Sequence, residues 1–203
     1  MNKVVFEASP NDSRYVPFTQ QPYCCVPTSI QMIMYRNNIP LIPAEELGYH
    51  LGLTVTEEDA KYFYNVRSAA TPPATSGFGT DISKLQYAPS KAFEKLGIPL
   101  SFSMQLASQI DSQKSLLDML DLIEKDDADA LLCFNHGVIK GKYEPNYGHV
   151  VVFDRIIDGQ IRVVDASPQQ PKWRLLGSGA VFDAIQQHGD NNSGGIWNFS
   201  HSN

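Results

Sequence analysis

Cys24 and Cys25 stand directly ahead of Val26-Pro27-Thr28-Ser29 and an apolar stretch. A cysteine at a helix start faces backbone N–H groups that lack intrahelical acceptors, and the positive end of the helix dipole. A thiol so placed ionises more readily than a free one, and the thiolate is the nucleophile. Far downstream, Gly148-His149 opens the apolar run Val150-Val151-Val152, and Asp165 closes another, Val163-Val164. Each residue also has an ordinary reading: a buried thiol, a core histidine bonded to a carbonyl, an aspartate capping a turn. In the order Cys, His, Asp they compose a triad in which an imidazole deprotonates a thiol and a carboxylate orients the imidazole.

For His149 and Asp165 to meet, their side chains must share one face of a hairpin, because neighbours along a strand alternate. Both numbers are odd, so paired positions must add to an even number. A two-residue turn at Asp158-Gly159 pairs Ile157 with Gln160 and puts the two on opposite faces. A three-residue turn, Ile157-Asp158-Gly159, pairs Ile156 with Gln160 and restores the parity; this is the turn closed by a left-handed glycine and a bulge. Asp165 then falls opposite Val151 and diagonal to His149, within side-chain reach.

The elements that must hold these residues follow from periodicity. Residues 27–38 carry Ile30, Ile33 and Met34 on one helical stripe, and helices are also expected over 43–51, 57–64, 89–96, 115–125 and 180–187. Residues 130–134, 150–153, 161–164 and 194–199 are β-rich runs between turn signals. Residues 68–80, rich in Pro and Gly, form a long loop expected to border a cleft or to be mobile. Helices first and strands later give an α+β domain in two lobes, a helical N-terminal lobe and an antiparallel C-terminal sheet, within a single domain over 1–203.

Composition narrows the function classes. Sixteen Lys and Arg against 22 Asp and Glu, a net charge of -6, argue against nucleic acid as partner. No apolar run approaches the ~18 residues of a membrane span. The first fifteen residues do not read as a signal peptide, so a cytoplasmic, reducing location is expected. Three cysteines, two of them adjacent, do not make a disulfide framework. No Cys-x-x-Cys, His-x-x-x-His or glycine-rich phosphate loop occurs, so neither metal nor cofactor is expected. Cys24 should point away from the site, Cys133 reads as core, His50 and His136 lack a partnering signal, and His188 and His201 read as exposed. Oligomeric state has no signal.

The block around Cys25, with Gly148-His149 and Asp165, resembles the papain-like cysteine peptidases, and within them the bacteriocin-processing, double-glycine leader peptidase-like branch. That branch shows a Gln, then Cys-Gly-Pro-Thr/Ala-Ser and an apolar helix, then Gly-His opening an apolar strand, then Asp-Pro. The matches here are Gln20 or Gln21, Cys25, Pro27, Thr28, Ser29, Ile30 and Met32, then Gly148, His149 and Asp165. Val26 departs from the usual glycine, and Asp165 is followed by Ala166-Ser167-Pro168 rather than directly by proline. Pro22-Tyr23-Cys, with Pro171 and Trp173 after Asp165, is also similar to phytochelatin-synthase-like enzymes, which move a γ-glutamylcysteine unit to an acceptor. The resemblance implies a papain-like fold and a hydrolase that cleaves a peptide or other amide. Cys25 would attack, His149 would shuttle the proton and Asp165 would orient it. A Gln side chain, Gln20 in preference to Gln21, would complete the oxyanion hole with the Cys25 N–H. An acyl transferase and a catalytically silent peptide-binding module are the alternatives.

Overall fold

The computed structural model describes residues 5–74, 77–145 and 147–201. Positions 75 and 76 of the expected loop, and 1–4 of the stretch judged against a signal peptide, lie outside the described residues. In chain order the elements are β1 (Val5–Glu7), α1 (Cys25–Arg36), α2 (Ala44–His50), β2 (Thr54–Thr56), β3 (Arg67–Ala69), α3 (Pro89–Leu96), β4 (Leu100–Leu106), α4 (Gln113–Lys125), β5 (Asp129–Asn135), α5 (His136–Ile139), β6 (Gly148–Ile157), β7 (Gln160–Val164), β8 (Trp173–Gly177), α6 (Ser178–His188) and β9 (Gly195–His201). The fold is α+β, as expected. A seven-stranded sheet runs β1-β8-β7-β6-β5-β9-β4, and every neighbouring pair is antiparallel.

Alternation along the central strands sends side chains to two cores. Leu131, Val150, Val152, Val164 and Trp197 meet α1, α2 and α3 on one face. Leu132, Phe134, Val151, Val163 and Ile196 meet α4 and α6 on the other. All seven β5 positions are buried, which fits a strand covered on both sides. Helix α1 is buried nearly all round, beyond its expected stripe, because it lies between the sheet and α2. It begins two residues earlier than Pro27 implied, since proline is tolerated anywhere in a first turn. Among the described residues no helix is long and apolar enough to cross a membrane.

Three local expectations change. The helix over 57–64 reduces to a short 3-10 turn, Asp59–Tyr62. The start of the expected loop joins a small parallel pair, β2 with β3, and Gly79 near its end bridges Thr54 through two backbone hydrogen bonds of 2.9 Å. The hairpin turn is also not the one expected. Ile157 pairs with Gln160 across a two-residue turn in which Asp158 and Gly159 both have positive φ. The parity is corrected further along, by a register shift between Phe153 and Arg155. The extra residue is Asp154, which is fully buried. Its carboxylate accepts from Arg162 Nε at 2.7 Å and from the Arg14 N–H at 2.9 Å. Beyond this bulge Val152 pairs with Val164, so Asp165 does fall opposite Val151.

Candidate active site

Helix α1 and strand β6 deliver Cys25 and His149 to one cleft of about 90 Å³. Cys25 is the first residue of α1, where its N–H has no intrahelical acceptor. His149 opens β6 opposite Phe134 and is 8% exposed. Its Nε2–H donates to Asp165 Oδ1 at 2.8 Å. That leaves Nδ1 as the ring nitrogen available to Cys25. Burial acts to lower the imidazole pKa, but the Asp165 charge and hydrogen bond, with those of Cys25, outweigh it and raise it well above the ordinary value. Asp165, fully buried, is driven below the usual carboxylate range: burial opposes this, while His149, Arg174 and the Ser167 N–H favour the anion.

The departure after Asp165 has a structural account. The Ser167 N–H donates back to Asp165 Oδ1 at 2.9 Å, a local turn closed by the aspartate itself. The Ala166 carbonyl in turn accepts the Gln20 N–H at 3.0 Å. Gln20 therefore lies beside the Asp165 loop; its side-chain Oε1 is buried without a hydrogen-bond partner, and it does not line the cleft. Gln21 is exposed, with its amide committed to the Tyr62 carbonyl at 3.1 Å.

The other cysteines separate cleanly from Cys25. Cys24 is fully buried against Leu53 and Val55. Burial, then the charges of Cys25 and Glu45, push its thiol up to about 12. Cys133 is buried in the sheet but lines the same cleft, its thiol pushed well up by burial and by Cys25. Val26 also lines the cleft, beside Cys25. Phe78, Gly79 and Thr80 form another part of the wall, so the end of the 68–80 segment does border the cleft. Among the described residues no group of three or more His, Cys, Asp or Glu stands close enough to hold a metal ion.

Two further histidines stand at the site, one unsignalled in the sequence and one that corrects it. His136, which follows β5, is 3% exposed, and its ring stands edge-on to His149 with centroids 4.8 Å apart. His188, expected to be exposed, is 7% exposed and lines the cleft. Its ring lies over Gly148, where a Cβ would come within 2.8 Å of its Cε1. Gly148→Ala is therefore expected to cost about 1–3 kcal/mol through overpacking. Adding His188→Ala should recover most of the loss in urea unfolding; equal losses in the single and double variants would show that the ring is not the obstacle. His201 is exposed and bonded to Asn37 at 2.9 Å. Arg174, unanticipated from the sequence, is fully buried and donates to Asp165 Oδ2. The only sign of it in the sequence is the alternation Arg174, Leu176 in a short run ending at Gly177.

The chain matches no family model and no curated protein. It is similar in structure to a protein of Bacillus anthracis described as a "putative C39-like peptidase", with a TM-score of 0.55 and 14% sequence identity, over 93% of this chain and 96% of that one. At that identity the likeness speaks for the fold, and the α+β arrangement of this chain is papain-like.

Proposed function

We propose that this chain is a cysteine peptidase-like hydrolase that cleaves a peptide or other amide bond through Cys25, His149 and Asp165. The observation that carries this reading is the shared cleft of Cys25 and His149, with His149 Nε2 held on Asp165 Oδ1 at 2.8 Å. His149 takes the Cys25 proton and the sulfur attacks the carbonyl carbon. The oxyanion that forms meets the free N–H at the start of α1. Collapse expels the amine, which leaves with the proton from His149, and the acyl group stays on sulfur as a thioester. Water, deprotonated by His149, then releases the acid and restores the thiol. Asp165 keeps the imidazole in one tautomer and orientation throughout.

The test is a pool of peptides of varied sequence, incubated in ¹⁸O-water with the wild type and with Cys25→Ala. New carboxyl termini that carry ¹⁸O and vanish in Cys25→Ala are the expected result. Cys25-dependent products without ¹⁸O, in the presence of an added amine or thiol, would replace hydrolysis by acyl transfer from the same thioester. Products identical in the two proteins, or absent from both, would sink the enzyme reading in favour of a binding module.

A further inference from the structure

Asp165 is bonded on two sides, and the triad accounts for one of them. Oδ1 receives His149 and the Ser167 N–H; Oδ2 receives Arg174. The sheet register makes this arrangement. The Asp165 N–H donates to the Lys172 carbonyl at 2.8 Å, so Lys172 lies opposite Asp165, and Arg174, which pairs with Val163, lies on the diagonal. His149 occupies the matching diagonal on β6. Imidazole, carboxylate and guanidinium thus form one line across three neighbouring strands.

Arg174 is an expensive residue to keep there. It is fully buried, its Nε lacks any hydrogen-bond partner, and its side chain has Asp165 as its one bonded partner among the described residues. The other fully enclosed arginine, Arg162, ties Asp154 to the carbonyls of Ser9 and Asn11 and so joins chain segments. Arg174 joins nothing but the site. An apolar group of similar volume commonly serves stability as well as a buried ion pair does.

We propose that Arg174 is a positioning residue of the reaction: a permanent counter-charge that keeps Asp165 anionic while His149 loses and regains its proton. The inference rests on the catalytic reading of Cys25, His149 and Asp165. In each turnover His149 passes from imidazolium to neutral imidazole as it hands its proton to the leaving amine. Without Arg174, that step would leave Asp165 a buried carboxylate with no cation bonded to it, and the proton would be held back. A guanidinium does not titrate in this range. It also fixes the carboxylate so that Oδ1 stays in line with Nε2.

The charged and titratable surroundings offer no substitute. His149 faces Cys25 from α1, His136 from α5 and Asp165 from the end of β7, while His188 of α6 sits over Gly148. His136 and His188 are held neutral near pH 7. Lys172 directs its Nζ to the carbonyls of Phe18, Ala166 and Ser167 rather than to Asp165.

The test compares wild type, Arg174→Gln and Arg174→Lys, with Arg174→Met replacing the glutamine variant if that fails to fold. Two readouts are taken: the titration of the His149 ring by nitrogen-resolved NMR, which needs no substrate, and the Cys25-dependent release of ¹⁸O-labelled acids from the peptide pool. With the guanidinium gone, the His149 imidazolium should persist to a pH about one unit higher, and turnover should fall about 10²-fold. Lysine, which keeps the charge, should restore the titration and most of the turnover. A folded, charge-free variant with the titration and turnover of the wild type, even at reduced thermal stability, would make Arg174 merely structural and overturn the proposal, with Cys25→Ala still inactive. Product formation that survives Cys25→Ala would instead overturn the catalytic reading, and this inference with it.

Discussion

Iodoacetamide at pH 6 is expected to mark Cys25 alone among the three cysteines, and His149→Ala to slow that reaction about a hundredfold. Cys24 and Cys133 are buried, and both thiols are pushed up, that of Cys24 to about 12, so neither offers a thiolate at this pH. Cys25 is partly exposed at the cleft and faces the imidazole. A thiol beside an imidazole that can take its proton is alkylated far faster than one with no base within reach. Removing the imidazole therefore costs roughly two powers of ten. Peptide mass mapping of the alkylated protein provides the measurement. Equal labelling of Cys24 and Cys25, unchanged by His149→Ala, would remove Cys25 as the nucleophile.

Acid should weaken the fold from near pH 6.5 downward, through the two histidines that flank the site. Burial, then the charges of His149, Arg174 and Lys140, push His136 down to about 3; burial alone pushes His188 down to about 4. In the unfolded chain both take up a proton near pH 6.5. Between there and their folded values the unfolded state holds up to two more protons. Stability then falls with falling pH by about 1.4 kcal/mol per unit for each residue, several kcal/mol by pH 4. His149 works the other way. Its raised folded value adds stability that is complete below about 6.5 and is lost as pH rises through that value. Asp165, lowered in the fold, contributes above about 4 and fails only in stronger acid. The decline below pH 6.5 is therefore carried mainly by His136 and His188, with a smaller contribution of the same sign from His50, which burial also lowers. Urea unfolding at pH 7, 5.5 and 4 should show it, with the slope roughly halved in His136→Phe and in His188→Leu. A slope that neither replacement moves would contradict the assignment.

The parts of the site that were legible in the sequence are those whose chemistry and local pattern coincide. A cysteine at a proline-bearing helix start, a histidine opening an apolar strand and an aspartate closing another each carried a local signal, and the hairpin parity linked the last two. The position of the bulge was not legible, because Asp154 owes its place to Arg14 and Arg162, distant in sequence. Arg174 escaped for a related reason: a charged residue on the core face of β8 breaks the apolar alternation by which a strand is recognised. Strand β4 did alternate, with Leu100, Phe102, Met104 and Leu106 on one side, yet as an edge strand it is only partly buried and its serines blurred the pattern. His136 and His188 had no local signal, since their burial comes from elements that close over them: β6 beside one, the Gly148 backbone beside the other.

The bulge at Asp154 also divides the hairpin into two mechanical parts. On one side lies the exposed tip, Asp158 and Gly159. On the other lies the stretch whose phase is set by Asp154 and its two arginines. The tip can thus be lengthened, or carry a grafted epitope or a fluorophore, with the change absorbed before it reaches the chemistry. The loss of the bulge with every residue kept, Asp154 drawn into the ladder opposite Val163, would be a different kind of event. It would let the strands zip straight on from the tip in a perfectly regular ladder and turn Asp165 to the face opposite His149, so that a more ideal sheet would part the pair.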